Sequence, residues 1–404
     1  MLAMRRRSSR VFLFLSLLGL FLIVLILLNA PPFEDVAAKK GLSFEREVQP
    51  SPPAPNGKRK KVLLMWTSVF GLKTANLDDC PLKDYCTLTF DHNLVEDADA
   101  VLFHMDPSEF DWGLIPRVRH IHQRYIFLLQ EAPHLDYQFN SNVVPGFFNW
   151  TMTYRLDSDC PMPYGGWWIR PEEKAKVSPE ALSRIDLSYN ATTILAQKTS
   201  LIVWLVSNCH TTSKRELVVE ALQRQQIQVD IFGACAPTAD KKNFCPKSDG
   251  AKCNAIFSRY KFFIAFENAI CKDYVTEKYW DRWNSMSVPI VMQRWTYETR
   301  IPSGSFIAVD DFENAAALAN HLRYLDANNT AYMEYFKWRD EGYDKAQWNG
   351  PGYRLGYCRV CENLLKDDEP PKVINDIAHW FKDEARCEKG EFAEAWSKGR
   401  YKRV

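Results

Sequence analysis

The chain predicts an α/β protein whose parallel sheets fall in two halves. Three observations carry this. Short apolar runs rich in β-branched and aromatic residues recur along it. Stretches of helical periodicity lie between them. A polar segment from about Arg170 to Lys198 separates the earlier runs from the later ones. Two such halves imply two Rossmann-like domains facing a cleft. With 404 residues, the chain has room for roughly two domains, each with its own core.

The N-terminus comes first. Met1 to Arg10 carries Arg5, Arg6, Arg7 and Arg10, a short basic tail expected in the cytosol. Residues 11–28 follow as an apolar run broken only by Ser16 and Gly19. At 1.5 Å per helical residue this run spans roughly 27 Å, close to the thinner early secretory bilayers. A cleaved signal peptide is the alternative, with Asn29-Ala30 mimicking a cleavage site. Its apolar region would be shorter, about 7–15 residues, and Pro31 just past the cut is unfavourable. An uncleaved signal anchor over 11–28 is therefore preferred. The arginines then place the bulk of the chain in the lumen, as a single-pass type II membrane protein. Residues 29–61 read as a stem. Pro50-Ser51-Pro52-Pro53-Ala54-Pro55 is extended, and Lys58 to Lys61 is a solvated basic run.

The first half, 62–198, opens with a strand at Val62 to Trp66. Ala100 to His104 and Arg124 to Leu129 are further buried strands. His120 and His122 fall between them on an expected helix, as surface or packing residues. Glu131 follows the third run and precedes Ala132-Pro133. The end of a strand at the cleft of an α/β domain is where catalytic groups usually sit, which makes Glu131 a candidate base, although on the residues alone a solvated loop glutamate is the preferred reading. Asp157-Ser158-Asp159 has the D-x-D form that holds Mn²⁺ on a diphosphate. That form is short, and Asp97-Ala98-Asp99 has it too.

In the second half, 199–361, the expected strands are Leu201 to Val206, Val229 to Phe232, Tyr260 to Phe266, Val288 to Met292 and Phe306 to Val309. Lys214 to Gln226 and Ala315 to Leu325 are expected helices. Ser213 and Glu216 have capping-box spacing, and Arg215 in the first turn would offer a bidentate guanidinium to a phosphate. After the run ending at Phe266, a helix is expected to open at Asp273 as N-cap. Val275, Tyr279, Trp283 and Met286 would share one face. Glu277 and Lys278 would then sit near a helix start that favours an anion. A lysine for a diphosphate and a carboxylate for ribose hydroxyls suit a sugar nucleotide. Residues 362–404 form a tail without a motif.

Charge and cysteine usage bound the rest. A net charge of +1 argues against a polyanion-binding surface, so no nucleic-acid partner is expected. All eleven cysteines lie from Cys80 onward, on the expected lumenal side, where disulfides persist. Cys358-Arg359-Val360-Cys361 lacks the second pair that a zinc site needs and the thioredoxin-like context of a redox pair. A short-loop disulfide between Cys358 and Cys361 is expected, with Cys80 and Cys86 as a second local pair. The odd total leaves at least one cysteine free or bonded to another chain, and the remaining connectivity is open. Asn149, Asn190 and Asn328 head sequons that are glycosylation candidates.

Several of these segments together resemble the alpha-1,3-fucosyltransferase family. Its donor motif reads approximately F-E-N-x(4)-D-Y-(I/V)-T-E-K, matched by Phe266-Glu267-Asn268 and Asp273 to Lys278. Its F-N-W-T-x-x-Y-R-x-D-S-D-x-x-x-P-Y-G run is matched by Phe148 to Gly165, and its S-N … R segment by Ser207, Asn208 and Arg215, followed by Val229 to Gly233. Tyr297-Glu298 and Pro302 through Phe312 match a fourth segment. The family shows E-S-P where this chain has Glu131-Ala132-Pro133, so the serine is replaced. The likeness spans roughly Val62 to Cys361.

The resemblance implies a GT-B-type glycosyltransferase: an acceptor-binding first domain and a second that binds GDP-fucose. It implies Glu131 as general base. Arg215, Lys278, Glu277, Tyr274 and Asn268 would be on the donor side, and Tyr154, Arg155 and Tyr164 on the acceptor side. The expected reaction moves L-fucose from GDP-β-L-fucose to position 3 of N-acetylglucosamine in glycoprotein glycans. Arg215 and Lys278 can neutralise the leaving diphosphate, so no cofactor is required, and Mn²⁺ stimulation is compatible with that. A metal-dependent transferase built on Asp157 and Asp159 is the competing chemistry. Two other readings remain. One keeps the donor but modifies the innermost N-acetylglucosamine of the N-glycan core. The other is a catalytically silent, lectin-like homologue. The expected partners are GDP-fucose, a glycan or glycoprotein acceptor and the Golgi membrane; a homo-oligomer is compatible with the sequence.

Overall fold

The computed structural model describes residues 43–44, 59–78, 80–108, 110–133, 143–176, 182–183, 185–244, 250–346, 356–366 and 370–403. The expected anchor and cytosolic tail, and all of the stem except 43–44 and 59–61, lie outside the described residues. Among the described residues no helix is long and apolar enough to cross a membrane.

Two five-stranded parallel sheets dominate. The first contains β1 (Lys61–Met65), β2 (Cys86–Thr89), β3 (Ala100–His104), β4 (Arg124–Leu129) and β5 (Trp150–Thr153), in the order 2-1-3-4-5. The second contains β6 (Ser200–Leu205), β7 (Val229–Phe232), β8 (Tyr260–Ile264), β9 (Val288–Val291) and β10 (Ile307–Ala308), in the order 7-6-8-9-10. Numbered within each sheet, the two orders are the same. Each sheet therefore reverses its winding once, between its first and third strands, and such a switch point opens a crevice at the carboxyl ends. Both sheets lie in one compact unit, residues 51–110 with 122–404. In the other unit, which contains residues 111–121, Ser43–Phe44 pairs in parallel with Val118–Arg119.

Side chains alternate across each strand, and both faces are covered, as parallel sheets require. In β8, Phe262 and Ile264 join a core with Val288, Ile290, Leu318 and Leu322, while Phe263 turns to the opposite core with Val291, Tyr297 and Trp338. In the first sheet, Leu63, Met65, Leu102, Ile126 and Leu128 share one core. Phe103, Tyr125, Phe127, Phe147 and Phe148 pack edge to face on the other side. The apolar runs of the sequence thus become strands with boundaries shifted by one or two residues. The helix expected around His120 and His122 is absent: Val118–Arg119 is a short strand, followed by a turn.

The C-terminal segment holds the main surprise. Helix 356–366, partly assigned by the sequence to the second half, packs on the first sheet through Tyr357, Val360 and Leu364. Its cysteines do not bond to each other. Cys358 bonds to Cys80, and Cys361 to Cys86. Both expected local pairs are thereby corrected, for a geometric reason. Positions three apart on a helix project side by side from one face, and that face lies on the β1–β2 region. Beyond it the chain bridges Phe148 at Ile374, places Phe381 5.0 Å from the Phe127 ring, and bridges Ile270 at Glu388. Cys387 bonds to Cys271. Helix 391–397 then buries Phe392, Ala393 and Trp396 in the second core. The segment therefore ties one sheet to the other. Cys209 bonds to Cys235, Cys253 is also disulfide-bonded, and Cys160 is free and buried.

Candidate active site

A cleft of 970 Å³ is lined by residues that follow strands of both sheets. Asp106 and Ser108, just past β3, line it from the first sheet, and Asn208, Lys214 and Asn268, past β6 and β8, line it from the second. Lys389 of the C-terminal segment completes the wall. Glu131, Tyr274 and Lys278 do not line this cleft. Asn268 borders it, and its neighbour Glu267 links it to Lys278.

Glu131 leaves the end of β4 half-buried. The Tyr274 hydroxyl donates to its Oε2 at 2.7 Å, and the Tyr164 hydroxyl to its Oε1 at 3.3 Å. Burial first, and then the charge of Glu131, raises the pKa of both tyrosines far above the ordinary phenol range. They stay protonated and act as donors. This bears on two expectations. Tyr274 is only 2% exposed, and its hydroxyl is turned to Glu131 rather than offered to a nucleotide. Tyr164, expected beside the acceptor, braces the same carboxylate. Ala132, which stands where the family has serine, is wholly buried, and the two phenols supply the polar support that the sequence put in doubt.

The expected helix opening at Asp273 also differs. Asp273 has φ 62°, a left-handed conformation, and its carboxylate accepts from the Leu156 N–H. The helix is a single turn, Glu277–Trp280, capped by Thr276. Tyr279 is buried, but Trp283 and Met286 lie past the end of that turn. The first-turn anion site is occupied from within. Glu267, 4% exposed, accepts from the Thr276 N–H at 2.7 Å and from its hydroxyl at 2.8 Å. Lys278 lies 3.1 Å from the same carboxylate and 3.1 Å from Glu277. Burial opposes charge on Lys278, yet Glu267 and Glu277 hold its pKa above the usual lysine value. Burial pushes Glu267 upward against the pull of Lys278. Lys278 keeps 21% of its side chain exposed and remains a cation that can meet an anionic ligand.

Arg215 lies in the floor, 2% exposed. Its terminal nitrogens donate to the carbonyls of Phe266 and Asn208, binding the ends of β8 and β6 across the switch point. The bidentate phosphate clamp expected of it is not formed, because a guanidinium enclosed this fully must find acceptors in the protein. The capping box is not formed either. Ser213 is buried and donates to the Glu267 carbonyl, and the helix starts at Arg215 without a side-chain cap. Asn268 accepts the Ser213 N–H through its carbonyl.

Tyr154 and Arg155 are both wholly buried and do not reach an acceptor directly. Arg155 forms a two-point pair with Asp157 and donates to the Trp380 carbonyl. Tyr154 packs on Tyr274 at 5.0 Å between ring centres. Burial, foremost, raises the pKa of the Tyr154 phenol beyond its usual range. The D-x-D carboxylates are spoken for separately. Asp157 pairs with Arg155 and Lys272, and Asp159 accepts from Thr151 and Lys372. Asp99 of the other D-x-D pairs with Arg59 and Lys61.

Of the sequon residues, Asn149 is corrected. It is 1% exposed, accepts from the Tyr125 N–H at 2.8 Å and donates to the Lys372 carbonyl at 2.7 Å. No glycan can attach there in the folded chain. Asn190 and Asn328 cap helices at the surface.

Glu267, Lys214, Lys389 and Arg300 received no role from the sequence. Glu267 stood inside a quoted motif, and its distance from Lys278 was the only hint. The others become visible only when separate loops converge.

Known proteins are similar over most of the chain. The family profile "Fucosyltransferase, N-terminal" matches residues 58–165, and "Glycosyltransferase family 10 (fucosyltransferase) C-term" matches 195–380. The Alpha-(1,3)-fucosyltransferase fut-5 of Caenorhabditis elegans is 33% identical over 80% of this chain and 82% of its own. The human 4-galactosyl-N-acetylglucosaminide 3-alpha-L-fucosyltransferase FUT5 is 32% identical over 83% and 86%. A crystal structure of an alpha1,3-fucosyltransferase with GDP-fucose matches at TM-score 0.46 and 18% identity, over 83% of this chain and 97% of that one.

Proposed function

The chain belongs to glycosyltransferase family 10, the fucosyltransferases, and on that premise we propose that it moves L-fucose from GDP-β-L-fucose to position 3 of N-acetylglucosamine in a glycoprotein glycan. The observation that carries this is the 2.7 Å hydrogen bond from Tyr274, in the donor motif, to Glu131, at the end of the first sheet. It joins the nucleotide-side motif to the candidate base at one point.

Glu131 takes the proton of the acceptor hydroxyl as that oxygen bonds to the anomeric carbon. The bond from that carbon to GDP breaks, and the electron pair leaves with the diphosphate. One displacement turns a β-linked donor into an α-linked product, with positive charge developing at the anomeric carbon. A positioned base contributes roughly 10²–10⁴ in rate. Lys278 faces the departing diphosphate, while Arg215 adds fixed charge from the floor and shapes the loop over it. These cations serve without a metal. Asp157 and Asp159 are each engaged with a lysine, which favours this reading over a Mn²⁺ site.

The proposal includes a Golgi type II topology, with residues 11–28 as anchor. The arginines before that run and the disulfides of the folded region support it. The test uses a secreted form beginning near Lys58, with GDP-fucose, EDTA and three acceptors: an N-acetyllactosamine oligosaccharide, a LacdiNAc oligosaccharide and a core N-glycopeptide. Mass spectrometry with linkage analysis reads the product. Fucose addition at position 3 is expected, and Glu131→Gln should abolish it while GDP binding persists. Normal turnover by Glu131→Gln removes Glu131 as base. Complete loss in EDTA that a metal restores overturns the metal-independent chemistry.

A further inference from the structure

Arg300 falls at an unspecified position of the Tyr297 to Phe312 run, so no motif residue marks it, yet the structure encloses it at 2% exposure. Among the described residues its guanidinium bonds to no carboxylate. One terminal nitrogen donates to the Asp273 carbonyl at 3.2 Å, and the other to the carbonyls of Tyr164, at 2.8 Å, and Gly166. Those acceptors lie on two loops from opposite halves of the chain. One loop carries Tyr164, and the other carries Tyr274, the residue after Asp273. These are the two phenols that hold the oxygens of Glu131.

Both loops pass through the left-handed region. Asp273 does so at φ 62°, unfavourable for a residue with a Cβ, and Gly165 at φ 66°, where only glycine is at ease. A Cβ on Gly165 would come within 2.0 Å of the Trp280 ring, so this loop lies directly against the helical turn of the donor motif. The Arg300 guanidinium also lies 5.3 Å from the centre of the Trp280 ring. The backbone carbonyl of Arg300 takes the Trp168 N–H at 2.9 Å, fixing the exit of the Tyr164 loop. A guanidinium has five donors in a rigid plane, so it can hold three carbonyls on two loops at once, which a lysine cannot reproduce.

We propose that Arg300 is a positioning residue for fucosyl transfer: it fixes the Tyr164 and Tyr274 loops relative to each other, and through the two phenols it sets the orientation of the Glu131 carboxylate. This rests on the reading of Glu131 as base. Removal of Arg300 leaves Lys278 and its Glu267 partner in place, since neither bonds to it. The effect therefore falls on turnover rather than on donor affinity.

The test compares Arg300→Lys, Tyr164→Phe and the double variant, all in the secreted chain, with Glu131→Gln as reference. Turnover at saturating substrates and GDP affinity by calorimetry are measured, with thermal unfolding as a check on the fold. Arg300→Lys should lower kcat by about 10- to 100-fold, a fraction of what the base supplies. GDP affinity should change less than about twofold. Because Arg300 acts through the phenols, the double variant should lose little more than the worse single variant. Normal kcat in Arg300→Lys overturns the proposal, as does weakened GDP binding with kcat retained, or multiplication of the two losses in the double variant. If Arg300→Lys does not fold, Tyr164→Phe and Tyr274→Phe decide. Unchanged kcat in both means there is no brace to position, and the proposal falls. Normal turnover by Glu131→Gln sinks the reading of the base itself, and with it this one. An inert Glu131→Gln beside a fully active Arg300→Lys sinks only the role of Arg300.

Discussion

Removing the paired disulfides that clamp helix 356–366 should have an effect that depends on order. Cys80–Cys358 and Cys86–Cys361 close sequence separations of 278 and 275 residues. With either bridge in place, the other closes only a ring of about ten residues, running along one strand region, across the first bridge and back along the helix. In the chain-entropy relation a ten-residue ring contributes about 3 kcal/mol, and a loop of roughly 280 residues about 5.5 kcal/mol. Cys80→Ala with Cys358→Ala should therefore cost about 3 kcal/mol, and so should Cys86→Ala with Cys361→Ala. Removing all four should cost about 8 kcal/mol, comparable with the whole stability of an ordinary domain. All four cysteines are buried, and the hydrogen bond that alanine removes is the weak donation from the Leu82 N–H to the Cys80 sulfur at 3.4 Å. Non-reducing peptide mapping establishes the pairing, and urea unfolding of the single-bridge and no-bridge forms gives the energies. A peptide containing a Cys358–Cys361 bond would refute the pairing. A second removal costing no more than the first would refute the nested-loop reasoning.

Three further outcomes follow from particular contacts. Asn149→Ala leaves the Tyr125 N–H and the Lys372 carbonyl unpaired and should destabilise the protein by about 2–4 kcal/mol without shifting its glycosylated mobility. Asn190→Gln and Asn328→Gln should each remove one glycan; a glycan found on Asn149 by mass spectrometry would contradict the structure. Glu267→Gln strips Lys278 of its enclosed partner at 3.1 Å and should cost about 2–4 kcal/mol, read by urea unfolding. Adding Lys278→Met should recover part of that loss, and strict additivity would mean that the pair is not coupled. Burial, foremost, pushes the Asp310 carboxyl up to about 6. Its contribution is fully present below the unfolded value, about 3.9, and is lost as pH rises through about 6. Wild type should therefore lose about 2–3 kcal/mol relative to Asp310→Asn between pH 4 and 7, and a flat difference across that window would refute the assignment.

The strands were legible because a buried parallel strand must be apolar on both faces, so Ala100–His104, Arg124–Leu129 and Val229–Phe232 appear as uninterrupted or nearly uninterrupted runs. Helix 315–327 was legible from its period, and Asn314 caps it. The short turn at Glu277–Trp280 was misread because Asp273, Val275 and Tyr279 fit a helical spacing as well as they fit the loop they form. Periodicity over so few residues does not distinguish the two.

By itself the sequence determined the α/β class, the approximate strands and helices, the donor-motif segment and Glu131 at the end of a strand. All of these are written in contiguous residues. Only the tertiary structure decided which cysteines bond, that Asn149 is enclosed, that Glu267 fills the first-turn site beside Lys278, and that Tyr164 and Tyr274 converge on Glu131 with Arg300 tying their loops. All but the Glu267 contact join groups far apart in the chain. Burial makes the choice, because a polar group removed from water takes whichever partner the packing of remote segments brings within reach.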